Sequence, residues 1–295
     1  MIAEFTVVAG RSRRMYDQTT LPILLLVDGL NLLWRSAYGF PRRIRSRGGT
    51  DVTAVFGFLA LLRKAINELG AEVECIVCFD GEQGSANRRA IDPAYKQNRS
   101  GADYSHLGWL PTIKEALAVV GVTWMEVEQW EADDLIAALC GQVSGRSIVV
   151  MSTDHDFFQL VSSTTFVLNT AGRQGQRLID RLHIVDRFRV EPWQWADYRA
   201  LTGDPSDNIP GVRGIGPNRA AFFLRDGMTL QQLPDSGRLV GTWGGVIQSR
   251  WQDVLRWREL MRLRTDLDVE LALTSRATAP LPNAVQLLDV LHLWD

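Results

Sequence analysis

Ile23-Leu-Leu-Leu-Val-Asp28 is a short apolar run that ends in an aspartate, and the same pattern recurs along the chain. The run from Glu74 to Phe79 leads into Asp80, and the run from Ile148 to Met151 is followed closely by Asp154. In an open parallel sheet, the carboxyl ends of the strands line the ligand crevice. We therefore expect the three aspartates to converge at one edge of a sheet.

Helical patterns separate these runs. Between the first two, apolar residues step by four and three and stop at Gly70 (Val55, Leu59, Leu62, Ile66 and Leu69). The segment Leu110 to Val120 has a proline in its first turn and stops at Gly121, while Glu131 to Cys140 opens with acids and stops at Gly141. The alternation predicts an α/β fold with a parallel-rich twisted sheet flanked by helices.

Changes in composition suggest how the chain is divided. Residues 1–20 are polar and irregular, which predicts a flexible N-terminal tail. Residues 21–180 predict the α/β domain, with a fourth strand at Thr165 to Leu168 and a charged segment at about 81–125. Residues 181–295 predict a helical C-terminal region.

Within the C-terminal region, Pro192 introduces one predicted helix, and Ser249 to Arg264 predicts a long, arginine-rich helix. Between them lies Trp243-Gly-Gly245. Burial in the core is the preferred interpretation of this stretch, and a lineage-specific contact surface is the alternative.

Composition excludes several classes of protein. The chain has 295 residues and three cysteines, too few for a disulfide framework. Cys75 and Cys78 are spaced like zinc ligands, but they lie within a predicted strand, where they would point to opposite faces. No apolar run is long enough to span a bilayer, so we expect a cytosolic protein that does not bind a membrane.

The acids of the chain are concentrated. Besides the three strand-terminal aspartates, the sequence contains Glu131-Ala-Asp-Asp134, Asp154-His-Asp156 and Asp204-Pro-Ser-Asp207. Nine acids result (Asp28, Asp80, Glu131, Asp133, Asp134, Asp154, Asp156, Asp204 and Asp207). So many carboxylates cannot stay ionised together without a cation, and all-oxygen ligation favours Mg²⁺ or Mn²⁺. Many enzymes that hydrolyse phosphodiesters use two such ions, a few Å apart.

Each group of acids also has an ordinary structural explanation. Acids at the start of a helix complement its dipole, acids beside prolines are common in turns, and aspartates often end strands. A chance arrangement requires all of these explanations at once. The formal net charge of −2 does not exclude nucleic acid, because outside the nine acids the basic residues outnumber the acidic ones.

The segment from Arg88 to Arg99 contains four cations and Tyr95. Such a segment suits a gateway for a 5′ single strand, since phosphate attraction does not depend on sequence. The alternative interpretation is a solvated charged loop.

These motifs together resemble the 5′→3′ exonuclease and flap endonuclease family, which includes the 5′ nuclease domain of bacterial DNA polymerase I and stand-alone phage 5′ nucleases. The matching stretches occur in the family's order (Val27 to Pro41, Tyr95-Lys-Gln-Asn-Arg99, Glu131 to Asp134, Ser152-Thr-Asp-His-Asp156 and Gly203 to Pro217). The resemblance implies a PIN-like nuclease domain with an arch or gateway at about 81–125, followed by a helical region with a helix-turn-helix element that grips duplex DNA.

The resemblance also implies roles for individual residues. All nine acids would bind metal, directly or through water. Lys96 would contact the scissile phosphate, and Arg88 would assist it. Arg35 would lie near the reacting strand, Arg99 would contact the backbone, and Tyr95 would stack on a base. The helix-turn-helix element would contact duplex DNA and hold a K⁺ ion (Arg213, Gly214, Gly216 and Arg219).

Two positions depart from the family pattern. Many relatives have a lysine after Gly-Ile-Gly-x, whereas this chain has Asn218 followed by Arg219. Asn87 replaces the phenylalanine that precedes the gateway arginine. The first departure leaves open whether Arg219 takes over the phosphate contact.

The expected function is therefore that of a structure-specific 5′ nuclease acting on DNA with 5′ ends, nicks, flaps or gaps, and on RNA/DNA hybrids as a side activity. No polymerase follows in this sequence, so we expect a monomer of phage type that acts alone in bacterial cytoplasm or an infected host. One alternative is an RNA-cutting enzyme, either a ribonuclease H-like primer remover or a toxin. The other is a non-catalytic DNA-binding scaffold.

Overall fold

A computed structural model describes residues 21–101, 103–173, 176–270 and 273–295. The predicted N-terminal tail lies outside these residues. Within them, six strands form one sheet, which are β1 (Ile23–Asp28), β2 (Val73–Asp80), β3 (Thr123–Val127), β4 (Ile148–Met151), β5 (Thr165–Leu168) and β6 (Leu178–Ile179). Their order across the sheet is β3-β2-β1-β4-β5-β6. All neighbours are parallel except β5 and β6, which are antiparallel.

Helices cover both faces of the sheet and form the C-terminal region. They are α1 (Gly29–Tyr38), α2 (Thr53–Leu69), α3 (Ala86–Ile91), α4 (Leu110–Val119), α5 (Ala132–Gln142), α6 (Arg181–Phe188), α7 (Trp195–Thr202), α8 (Pro217–Leu224), α9 (Gly241–Ser249), α10 (Trp251–Met261) and α11 (Ala284–Val290). The sequence signals act as predicted in α2, which ends at Gly70 with a φ of 61°. None of the helices in the described ranges is both long and apolar enough to cross a membrane.

The connection order creates the crevice. From β1 the chain continues outward through β2 and β3 on one side, whereas β4 and β5 extend on the other side. β1 and β4 are therefore the neighbouring strands at which the strand order reverses. Loops that leave such a pair diverge to opposite faces and open a crevice at their carboxyl ends.

The core has two parts, one on each face of the sheet. Along β2, the side chain of Cys75 lies in the part that packs against α2, and that of Cys78 lies in the part that packs against α5. This confirms the prediction that the two thiols point to opposite faces. Both are fully buried and cannot share a metal ion.

Strand β3 was missed by the sequence analysis, and two local predictions were wrong. β3 is a partly exposed edge strand that the apolar pattern did not indicate, because it lacks one continuous buried face. The predicted helix from Ser249 to Arg264 is interrupted at Arg250, whose φ of −113° is not helical, and it ends at Met261. Trp243 is 39% exposed and is not a core residue.

The end of the chain returns to the α/β domain. α11 packs against α2, where Leu287 and Leu288 are buried. Before it, the Thr278 backbone N–H donates to the carbonyl of Val73 in β2. Residues 181–295 are therefore not one packing unit, since their last part completes the core of the sheet domain.

Candidate active site

Three aspartates extend from adjacent strands at the crevice. Asp28 ends β1 and caps α1, accepting a hydrogen bond from the Asn31 backbone N–H at 3.1 Å. Asp80 ends β2 and accepts from the Ala132 N–H at 2.8 Å, which ties this strand to the start of α5. Asp154 follows β4 and caps the short 3₁₀ helix that follows it. The sequence thus places each carboxylate at or just beyond the carboxyl end of a strand.

The other acids approach from the sides. Glu131, Asp133 and Asp134 form the beginning of α5, while Asp156 lies in the turn after β4. Asp204 and Asp207 lie in a turn closed by two backbone hydrogen bonds between Asp204 and Ile209. Each of the nine acids is close enough to repel at least one of the others. The negative charge of each acid raises the pKa of at least one other acid of the nine, or its own pKa is raised by such a neighbour. The predicted convergence of the acids is present in the structure.

One group of acids has the spacing of a metal site. Asp156, Asp204 and Asp207 each place a carboxylate oxygen within 4.8 Å of the others, and all three residues are buried. Among the described residues, no other trio of potential ligands is this close together. These three acids lie where the C-terminal region meets the sheet.

The three strand-terminal aspartates all have raised pKa values. Burial raises the pKa of Asp28 to about 7, and the charges of Asp80 and Asp154 add to the effect. Burial likewise raises the pKa of Asp80 to about 6, with a further contribution from the charge of Glu131. Within the described ranges, none of the three forms a salt bridge. The charge of Lys96 offsets part of the repulsion at Asp80 and Asp154, and protonation or an added cation would relieve the rest.

Cations from the gateway segment cover the acids of α5. The buried guanidinium of Arg88 contacts Glu131, lies 3.1 Å from Asp133 and lies 2.9 Å from Asp134. Lys96 places its Nζ 2.6 Å from Glu131. The neighbouring Arg99 pairs with Asp207 at 2.6 Å. These contacts hold the gateway segment against the carboxylates.

Tyr95 differs from its predicted role. Its side chain is only 2% exposed, and its hydroxyl lies 3.0 Å from Glu131 and 3.3 Å from Asp207. A ring so enclosed cannot stack on a base. The reason is tertiary: the gateway folds back onto the crevice, so its single aromatic residue joins the core while Lys96 reaches the acids.

The remaining predicted residues do not contact the acids in the described part of the chain. Arg35, on α1, donates to the Thr170 hydroxyl at 2.6 Å and is half-buried beside the sheet. Arg213, Gly214 and Gly216 lie in the loop that leads into α8, and Arg219 lies in the first turn of that helix. All four are exposed on the surface of the C-terminal region.

Arg199 is a residue of the site that sequence reasoning missed. From α7 it contacts Asp204, and its Nε lies 3.9 Å from Asp156. Burial alone would raise the pKa of Asp204, but hydrogen bonds from Ser206 and the charge of Arg199 outweigh burial and lower that pKa. Its position in the last turn before Gly203 was the only signal in the sequence.

Polar side chains between β1 and β4 were also missed. The Ser152 hydroxyl donates to Asp28 at 2.9 Å. The Asn31 side chain donates to the Thr153 hydroxyl at 2.9 Å and accepts from the Thr153 backbone N–H at 3.1 Å. These bonds fix the two strand ends relative to each other, and therefore fix Asp28 relative to Asp154.

Comparisons with known proteins agree with this architecture. Residues 23–189 match the family model for the 5′-3′ exonuclease N-terminal resolvase-like domain, and residues 190–283 match the model for the 5′-3′ exonuclease C-terminal SAM fold. A sheet domain followed by a helical domain confirms the predicted fold class.

Similar sequences occur in bacterial polymerases. The chain is 34% identical over 266 residues to DNA polymerase I of Mycobacterium leprae, covering 88% of this chain and 29% of that protein. It is 36% identical over 257 residues to the thermostable DNA polymerase I of Thermus aquaticus, covering 86% of this chain and 30% of that protein. The chain therefore spans about a third of the length of these relatives.

Similar solved structures share the fold. A mutant of the bacteriophage T5 5′-exonuclease superposes with a TM-score of 0.65 at 20% identity, over 93% of this chain and 100% of that one. The catalytic core of Rad2 in complex with a DNA substrate superposes with a TM-score of 0.57 at 13% identity, over 95% of this chain and 88% of that one. Because the two family models together match most of its residues, the chain belongs to the 5′-3′ exonuclease family.

Proposed function

We propose that the chain is a structure-specific 5′ nuclease, acting both as a 5′→3′ exonuclease and as a flap endonuclease. Its substrates would be DNA with 5′ ends, nicks, flaps or gaps, and RNA/DNA hybrids as a side activity. The observation that carries the proposal is the convergence of nine acids from three strands, α5 and the turn at 204–207. Family membership supplies the reaction class.

The donor set of the crevice suits divalent cations. The ligand atoms are all oxygens, and three buried carboxylates lie within 4.8 Å of one another. Hard oxygen ligands of this kind favour Mg²⁺ or Mn²⁺. Burial and the charges of neighbouring carboxylates raise the pKa values of Asp28 and Asp80, so a bound cation would stabilise their ionised forms.

Two groups of residues would hold the ions. The strand-terminal aspartates Asp28, Asp80 and Asp154, with Glu131, Asp133 and Asp134 beside them, form the first. The trio Asp156, Asp204 and Asp207 forms the second. Two ions held there would activate a water and stabilise the leaving oxygen of a phosphodiester. A K⁺ ion in the loop before α8 is part of the proposal only through the family resemblance.

The basic residues would act on the phosphate. Lys96 and Arg88 would stabilise the negative charge that develops on it, since cations aimed at developing charge are effective in a water-poor site. Both side chains are shielded from solvent and already lie beside the acids through Glu131. Arg35 and Arg99 would contact the backbone of the strand being cut, and Arg213 and Arg219 would contact the duplex.

The rival functions are less well supported. A non-catalytic scaffold would not need nine converging acids. It would also not need Asp28 and Asp80, at the ends of β1 and β2, to be without a salt bridge in the described part of the chain. An enzyme restricted to RNA has no specific support in the site. A monomeric state and a cytoplasmic location, in a bacterium or an infected host, complete the proposal.

The test replaces one acid of the first group. We expect Asp154→Asn to reduce cleavage of a 5′-flap substrate in Mg²⁺ by about 100-fold or more, because one metal-binding oxygen is lost. Binding of the same substrate in Ca²⁺ should change little. The matched control is Asp186→Asn, an exposed acid on α6. Unchanged cleavage by Asp154→Asn would refute the assignment.

A further inference from the structure

An exposed indole ring rests on the loop that precedes α8. Trp243, in α9, is 39% exposed although it belongs to the largest apolar side chains of the protein. One turn later, Ile247 is fully buried, which anchors α9 to the core. The exposed position of the ring is thus set by the packing of its helix.

The loop is shaped to receive this ring. Gly214 has a φ of 84°, a conformation that side-chain-bearing residues rarely adopt. A Cβ at this position would lie 2.5 Å from the Trp243 ring, which is closer than real contacts allow. Only glycine lets the indole approach the backbone here. The glycine of the family motif and the tryptophan from a distant helix therefore fit each other.

Arg219 completes the arrangement. Its guanidinium carbon lies 3.8 Å from the centroid of the Trp243 ring, and its Nη1 donates to the Gly214 carbonyl at 2.6 Å. The indole ring covers one face of the guanidinium, and one of its five N–H donors is occupied. The remaining donors lie along the edge of an exposed group whose orientation is already restricted.

The chemistry of this surface favours phosphate. Across the described ranges, neither Arg219 nor its neighbour Arg213 forms a salt bridge with an acid, whereas just over half of the described arginines do. A stacked guanidinium with a free edge suits a phosphate oxygen pair, which it binds through parallel hydrogen bonds. Arg213, in the loop before α8, is a second exposed cation close to Arg219 in the sequence, and phosphate attracts such cations whatever the base sequence.

We propose that Trp243 is a positioning residue, which holds Arg219 so that it binds a backbone phosphate of duplex DNA. The inference rests on the proposed function for its ligand and deepens it, since it assigns a residue outside the family motif to duplex binding. It also answers how the chain manages without a lysine at Asn218: the stack fixes the long arginine one position later.

The experiment measures affinity for a nicked duplex and for a single strand in Ca²⁺, as a function of salt. Arg219→Gln should weaken duplex binding about tenfold and lower the slope of log Kd against log salt by about one, as expected for one lost phosphate contact. Trp243→Ala should weaken duplex binding about threefold to tenfold, and Trp243→Phe, which keeps a ring face, by less. The double variant should bind no more weakly than Arg219→Gln alone, because the ring acts through the arginine.

The matched control is Trp193→Ala. Trp193 is also exposed and also packs on a glycine with positive φ, Gly227, which lies beyond the C-terminal end of α8, whereas Arg219 is in its first turn. Its loss should leave duplex affinity unchanged. In Mg²⁺, Trp243→Ala should raise KM more than it lowers kcat.

Several outcomes would overturn the inference. The first is an unchanged duplex affinity of Trp243→Ala, and the second is an additive loss of affinity in the double variant. The third is an equal loss of affinity for single strands. The fourth is a change in the sedimentation mass of Trp243→Ala, which would make the ring part of an interface between copies of the chain. Wild-type cleavage decides the proposed function separately. A wild-type protein that binds duplex through Trp243 but does not cut would sink the nuclease proposal and leave this inference standing.

Discussion

Arg199 illustrates how one side chain balances the charge of the site. It contacts Asp204 and lies near Asp156, yet its Nε has no hydrogen-bond partner among the described residues. Arg199 therefore contributes to the site mainly through its positive charge, because not all of its N–H groups form hydrogen bonds. In the proposed enzyme this cation stabilises the second group of acids when no metal is bound.

Removing this charge should destabilise the protein without metal. In EDTA we expect Arg199→Gln to lower the free energy of unfolding by about 2 kcal/mol and Tm by roughly 5 °C, because an acid loses its buried partner. Added Mg²⁺ should raise the Tm of this variant more than that of the wild type. Arg276→Gln, an exposed arginine outside the site, serves as the control. Equal Tm values for wild type and Arg199→Gln in EDTA would contradict this account.

At the scale of elements, the connection between the end of the chain and the sheet is unexpected. Glu74 in β2 pairs with Arg146 at 2.5 Å and also accepts a backbone hydrogen bond from Ser275 at 3.1 Å. α11 then covers α2 with Leu288, which is fully buried. The polar and apolar contacts together make the last segment part of the sheet domain.

Shortening a buried leucine in α11 should show how much this contact contributes. We expect Leu288→Ala to lower the free energy of unfolding by about 2–5 kcal/mol, from lost transfer energy and the cavity left behind. Val285→Ala, on the exposed side of the same helix, should change it by less than about 0.5 kcal/mol. Chemical denaturation measures both. A small effect of Leu288→Ala would show that α11 is not required for the core.

For the whole molecule, acid repulsion should make stability depend on pH and metal. The pKa of Asp28 is raised to about 7 and that of Asp80 to about 6, so the folded state binds more protons than the unfolded state between about pH 4 and pH 7. These two groups therefore make the metal-free protein less stable as pH rises through this window.

The corresponding measurement is a series of melting curves from pH 5 to pH 8. In EDTA, Tm should fall as pH rises through this window. At pH 8, millimolar Mg²⁺ should raise Tm by about 5 °C or more, because an ion that binds only the folded state stabilises it. Asp28→Asn should flatten the pH dependence in EDTA. A Tm in EDTA that rises steadily with pH in the wild type but not in Asp28→Asn would reverse the sign assigned here.

Local sequence patterns predicted much of the secondary structure of this protein. The buried strands β1, β2, β4 and β5 and the helix stop at Gly70 were predicted from apolar spacing and turn residues, because such signals act over only a few positions. The convergence of the acids also followed from local sequence, since parallel strands place their carboxyl ends at one edge of the sheet. The edge strands β3 and β6 were missed because a short or half-exposed strand has little apolar pattern.

The sequence alone determined the fold class, the order of the motifs and the identity of the acids. Only the tertiary structure decided that Tyr95 is buried, that Arg199 enters the site, and that Trp243 lies over Gly214 and Arg219. The physical reason is range. Strand and helix signals depend on neighbours in sequence, whereas burial and charge pairing depend on which distant segments meet, and no local pattern specifies those meetings.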